Sequence, residues 1–255
     1  MRMTNQGQCG FLLEIAGVRI VTDPYLSDFV DRHHAGDPSW TRNYAPPCTL
    51  AELRPDLVLI SHAHDDHMDP LTLGAYRAAG GDCPIAAPAP ECGLLKHLHF
   101  SQIIEARAEQ GFSQGKVRIT PVICAHTEPH VDALGRFREL SYLIEGEGLR
   151  VFFGGDASLY DGLVQRVGKC DYAILPVNGR DDYRTFHNII GNTTPEEACA
   201  LAAAWNAVLI PAHYDLYDGN ACPLQSVQQA AEAAGVKLFV PRLGMPEEMG
   251  MKNEA

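Results

Sequence analysis

The 255-residue sequence predicts an α+β protein in which sheets pack against one another and helices lie outside them. Two observations carry this. Short apolar runs of strand type recur along the chain, and segments with helix-start and helix-stop signals punctuate them throughout. The length would allow one large domain or two small ones. No internal repeat, low-complexity tract or linker divides the chain, so residues 1–255 are read as a single domain.

The elements follow in order. Residues 10–14 and 18–22 flank Ala16 and Gly17 and read as a β-hairpin. Residues 24–55 mix Pro, Gly, Asp, His and Asn without a period, which predicts a long loop of the functional kind. The run 57–60 is a short buried strand. Asp69 then resembles an N-cap with Pro70 at the first helical position, and a helix runs to about residue 79, where Gly80 and Gly81 stop it. Strands are expected at 84–87, 102–106, 116–124, 140–145 and 149–154. Helices at about 158–167, 194–205 and 223–234 alternate with strands at 171–176, 207–211 and 236–240.

Composition narrows the function. A net charge of −12 and scattered Lys and Arg leave no basic stripe for nucleic acid and no polybasic anchor. The first residues hold no apolar stretch of signal-peptide type, and no apolar run approaches membrane-spanning length. The eight cysteines never fall in a C-x-x-C pair, so reduced and mostly buried thiols and a cytoplasmic location are expected. An anionic small molecule in a local cationic pocket stays allowed.

The chemistry gathers after the strand at 57–60, where His62-Ala63-His64-Asp65-Asp66-His67 follows. In extended backbone His62 and His64 point to one side and can share an ion. As the chain turns into its helix, Asp66 and His67 can reach a second ion close by. Imidazole and carboxylate donors together suit Zn, Mn or Fe rather than Ca. Three further candidates each stand just past an apolar run: His126, Asp156 (after Gly154 and Gly155) and His213. Taken singly, each reads equally well as a capped turn residue or a satisfied core histidine. Together the set supplies five histidines and two aspartates, enough for two divalent ions.

The order of these motifs resembles the metallo-β-lactamase superfamily, whose H-x-H-x-D-H signature matches residues 62–67 and is followed by His126, Asp156 and His213. The resemblance covers essentially the whole chain. It implies a four-layer αββα sandwich with a dinuclear site at one edge of the sheets. His62, His64 and His126 would hold the first metal, Asp66, His67 and His213 the second, and Asp156 would bridge them. Asp23 would support the metal loop without being a ligand. A finer resemblance is to the L-ascorbate-6-phosphate lactonase-like branch, carried by residues 7–11, 23–28, 154–156, 175–180, 191–197 and 211–215. It implies Mn or Zn as the two ions, and related enzymes often assemble as homo-oligomers.

The reaction expected is opening of a lactone or related ester, that of a phosphorylated sugar acid included, through a metal-activated hydroxide. Asp66 is the candidate to orient the nucleophile or shuttle a proton, and Tyr214 to donate to the oxyanion. Asn178, Arg180, Arg184 and Asn188 are candidate substrate residues. Arg180 or Arg184 would grip an anionic group through paired hydrogen bonds, unless both merely pair with Asp181 and Asp182. His130 reads as a surface histidine, and His33, His34, His97 and His99 as surface or packing residues. The alternatives are a phosphodiesterase or nuclease of the same superfamily, and a non-catalytic metal-binding protein.

Overall fold

A computed structural model describes residues 1–250. Two sheets form in succession along the chain. The first is built from β1 (Arg2–Gly7), β2 (Gly10–Ile15), β3 (Val18–Thr22), β4 (Leu57–Leu59), β5 (Ile85–Pro88) and β6 (Ile103–Ala106). The second holds β7 (Phe112–Gln114), β8 (Val117–Ile123), β9 (Leu140–Gly146), β10 (Leu149–Phe153), β11 (Tyr172–Pro176) and β12 (Val208–Ala212). The last strand, β13 (Pro246–Glu248), returns to pair with β1, giving the orders β13-β1-β2-β3-β4-β5-β6 and β12-β11-β10-β9-β8-β7. In each sheet an antiparallel meander passes into parallel strands.

The period of two along the strands builds the layers. Phe11, Leu13, Ile20, Leu57 and Leu59 of the first sheet meet Ile119, Tyr142, Ile144, Val151, Phe153 and Ile174 of the second in one inter-sheet core. The alternate residues Leu12, Val21 and Val58 face the other way, onto helices α2 (Leu50–Leu53), α3 (Pro70–Ala78) and α4 (Gly93–His97). Leu143, Phe152, Ala173, Leu175 and Leu209 likewise face α5 (Leu163–Val167), α7 (Pro195–Ala204) and α8 (Leu224–Ala234). The result is the four-layer αββα sandwich expected of the sequence.

Asp69 caps α3 as expected by accepting from the Leu71 amide. Thr194 with Glu197 closes a capping box on α7, a signal not singled out from the sequence. Ala16 and Gly17 both take positive φ in the β2–β3 turn, as a two-residue hairpin requires. Three expectations need correction. The region 24–55 is not one loop but carries α1 (Phe29–His33), a 3-10 turn at Pro38–Trp40 and α2. The helix expected from 158 begins only at Leu163, behind Gly162 at φ 92. The strand expected at 236–240 is a single bridge of Leu238 to Leu209. The polar loop after β11 also contains a turn of helix, α6 (Asp182–Phe186). All eight cysteines are free thiols, five of them buried. No helix of the described residues is long and apolar enough to cross a membrane.

Candidate metal centre

The ends of β4, β8, β10 and β12 open onto one edge of the sandwich, and there the chain delivers His62–His67, His126, Asp156 and His213. Donor atoms of His62, His64, His126 and Asp156 lie within 4.8 Å of one another, and so do those of Asp66, His67 and His213. Asp156 stands between the two groups: its carboxylate is 3.2 Å from His67 Nε2, 3.5 Å from His213 Nε2 and 3.7 Å from His126 Nε2. Asp66 Oδ2 lies 3.2 Å from His213 Nε2. The structure therefore brings together all seven residues singled out as metal candidates.

A buried carboxylate sets their orientation. Asp23, fully buried, accepts from the Ser61 amide (2.7 Å) and hydroxyl (2.5 Å) and from His67 Nδ1 (2.7 Å). The Ser61 hydroxyl in turn meets His62 Nδ1 at 2.9 Å. With Nδ1 of both rings engaged, Nε2 of His62 and of His67 turns inward, buried and without a hydrogen-bond partner. Such a carboxylate–histidine arrangement is how proteins fix a ligand's tautomer. Close approach of the Asp156 loop depends on Gly155, at φ +59, where a Cβ would fall 2.5 Å from Ser61 Cβ.

The electrostatics call for cations. Burial opposes charge on His67 and His213, yet the carboxylates around them outweigh it and push both pKa values above the ordinary range. Burial likewise opposes ionisation of Asp66 and Asp156, but the same imidazoles hold both below the usual carboxylate range. Burial dominates at His62, which is pushed well down, and at His126, held at about 4. Imidazoles and carboxylates that each favour the other's charged form make a place that divalent ions would fill. Orphaned imidazole nitrogens beside ionised carboxylates, in a set of N and O donors, fit such ions well.

The cluster forms the floor of a cavity of about 890 Å³. Its walls come from the segment around α1 and from residues 183–190. Of the candidate substrate residues, only Asn188 lines it. Of the two readings open for the arginines, Arg184 shows the pairing with Asp181: its guanidinium is buried and also bonds to Asn220 Oδ1 (2.9 Å) and the Ala221 carbonyl (2.7 Å). Arg180 holds the Asn192 carbonyl (2.7 Å) and Glu197. Asn178 sits one layer back, bonded to Asn220 and Asn192. Tyr214 packs against the outer core of the second sheet and does not reach the cavity. His130 lies beside Glu139 outside it. His34, read as a surface or packing residue, is exposed and also borders the cavity.

Sequence reasoning missed Gln8. Its amide donates to Asp66 Oδ2 at 2.7 Å and lies 2.9 Å from His213 Nε2. It sits in the β1–β2 turn at φ 53, and the β12 end is tied to it where the His213 amide donates to the Gln8 carbonyl. Nothing in a lone Gln marks it. The cavity walls (Asp37, Trp40, Tyr183, Ile189, Ile190 and Asn220) were equally unmarked, because loops remote in sequence assemble them.

Known proteins place this architecture. Residues 18–214 match the family model described as the Beta-lactamase superfamily domain. A UPF0173 metal-dependent hydrolase of Pelotomaculum thermopropionicum is 26% identical over 251 residues, spanning 94% of this chain and 97% of the relative. Another from Opitutus terrae is 31% identical over 192 residues, spanning 69% and 72%. Among solved structures, an isothiocyanate hydrolase from Delia radicum gut bacteria superposes with a TM-score of 0.77 at 18% identity, covering 98% of this chain and 100% of that one. The family match, the αββα layers and the His/Asp cluster at the sheet edge agree: this chain belongs to the metallo-β-lactamase superfamily.

Proposed function

We propose that the protein is a metal-dependent hydrolase that opens a lactone or related ester. The observation that carries this reading is the convergence of two donor groups on the shared Asp156 at the floor of an accessible cavity. His62, His64 and His126 would hold one divalent ion, and Asp66, His67 and His213 the other, with Asp156 facing both. Ions held there lower the pKa of water toward about 7 and polarise a carbonyl oxygen, so that no serine or cysteine nucleophile is needed.

The remaining steps belong to this chain's own residues. Asp66 lines the cavity beside His213 and, besides helping to hold the second ion, would orient the attacking water by accepting a hydrogen bond from it. Gln8 fixes the Asp66 carboxylate from behind. Asp23 and Ser61 keep the His62 and His67 rings turned toward the centre. Tyr214, Arg180 and Arg184 do not line the cavity, so the proposal gives them no contact with the substrate.

Two tests bear on this directly. Metal analysis of the purified protein should find divalent ions, and chelation followed by addition of Mn or Zn should remove and restore turnover. A panel of lactones, thioesters, phosphodiesters and an isothiocyanate, run with each metal, should show preference for lactones or esters. Turnover confined to phosphodiesters would favour the nuclease alternative, and silence across the panel with metal bound would favour a non-catalytic protein.

A further inference from the structure

Two pairs of rings, from different segments of the chain, line the cavity that holds the metal cluster. In one pair His34 stacks on Trp40, with centroids 4.9 Å apart and planes at 22°. Trp40 is held from beneath by Tyr217 at 5.7 Å, itself part of a small aromatic core with Tyr25. In the other Tyr183 lies 4.3 Å from His187. Ile189 and Ile190 follow in that segment. Tyr183 is 51% exposed, so its ring offers a free face.

Charge points the same way. No Lys or Arg lines the cavity, whereas Asp37 and Asp65 stand on its outer walls, apart from the two carboxylates of the metal cluster. Apart from the metal cluster, the described lining residues offer no guanidinium fork to a phosphate or carboxylate on the non-reacting part of a substrate. Flat π faces and branched aliphatics instead suit an uncharged planar group, which stacks without a desolvation penalty for charge.

We propose that this cavity selects esters or lactones whose non-reacting part is an uncharged aryl group, seated against the Trp40–His34 and Tyr183–His187 pairs. The substrate class named here rests on the hydrolytic reading, but seating of the aryl group is measurable without turnover.

The test uses matched rings that differ in one substituent. With metal-loaded protein, γ-phenyl-γ-butyrolactone should be hydrolysed with kcat/KM at least about 10-fold above γ-carboxy-γ-butyrolactone. Trp40→Ala should lower kcat/KM for the phenyl lactone about 10-fold more than for unsubstituted γ-butyrolactone, mainly through KM. Tyr183→Ala, on an exposed residue of the other pair, should do the same and covers the case in which Trp40→Ala fails to fold. For binding alone, the phenyl-substituted γ-lactam, which resists hydrolysis, should change tryptophan emission in wild type but not in Trp40→Phe. Trp205, the other tryptophan, is fully buried in the outer helical layer and supplies a constant background. The carboxylated lactam should leave emission unchanged. Preference for the carboxylated ring, or no emission response to the phenyl lactam, overturns the proposal. An emission response without turnover of any lactone would sink the hydrolytic reading and leave the aryl seat standing.

Discussion

Asp23→Asn replaces one buried atom, yet it should disable both ion positions. In the native arrangement Asp23 can only accept. His67 Nδ1 must therefore carry its proton toward Asp23, and the Ser61 hydroxyl must donate to Asp23 and accept from His62 Nδ1. Both rings then present a bare Nε2 to the centre. An asparagine keeps an oxygen for the Ser61 amide but turns N–H toward the Ser61 hydroxyl and His67. The hydroxyl must then donate to His62 Nδ1, and His67 Nδ1 must accept. Each change moves a proton onto Nε2, where it opposes an ion. Loss of an orienting partner of this kind costs about 10–100-fold in metal affinity, or about 1.4–2.7 kcal/mol. Here the relay through Ser61 extends the loss to both positions. Chelator-competition titration of wild type, Asp23→Asn and Ser61→Ala would measure it. Ser61→Ala should weaken only the position that includes His62. Wild-type affinity at both positions in Asp23→Asn would refute the tautomer argument.

Three further outcomes follow from the geometry. Gly155→Ala should destabilise the fold by about 1–3 kcal/mol, because the new methyl meets Ser61 at 2.5 Å and φ is +59; a lower Tm in the chelated protein would show it, and an unchanged Tm would count against the close approach. Arg184→Ala should cost about 2–4 kcal/mol in denaturant unfolding through its bonds to Asn220, Ala221 and Asp181, while KM moves far less than an anion-binding arginine would require. In the chelated protein burial holds His126 at about 4, below its ordinary 6.5, so the unfolded chain takes up this proton first. The stability due to a neutral His126 is thus complete above pH 6.5 and is lost as pH falls toward 4. Thermal unfolding of chelated wild type against His126→Gln across that window should show a steeper acid loss in wild type, and parallel curves would refute it.

Much of this was legible in the chain because it is local. The apolar run before His62 and the cap at Asp69 with Pro70 are short-range features whose physics does not wait for tertiary contacts. The short strands were harder. β1 and β13 lack alternation and pair with each other from opposite ends of the sequence, Arg2 against Glu248. A hydrogen-bonded edge of that kind is decided by what happens to lie beside it. The turns of helix at 29–33 and 182–186 are likewise too short to carry a period.

The sequence by itself singled out the His and Asp residues that converge at the candidate metal centre. Imidazole and carboxylate at the ends of successive apolar runs have few other reasons to recur, and strands of one sheet edge must deliver their C-terminal residues to one place. Only the tertiary structure decided what surrounds them. Whether Arg184 binds substrate or staples a loop depends on Asn220 and the Ala221 carbonyl, which lie 36 and 37 residues away. Whether Tyr214 faces the cavity or the outer core depends on the direction of the chain just past β12, where His213 takes φ 57 and turns its neighbour away. Side-chain direction beyond the end of a strand follows from packing rather than from residue type. For that reason the convergence of the candidate ligands could be read in advance and the walls of the cavity could not.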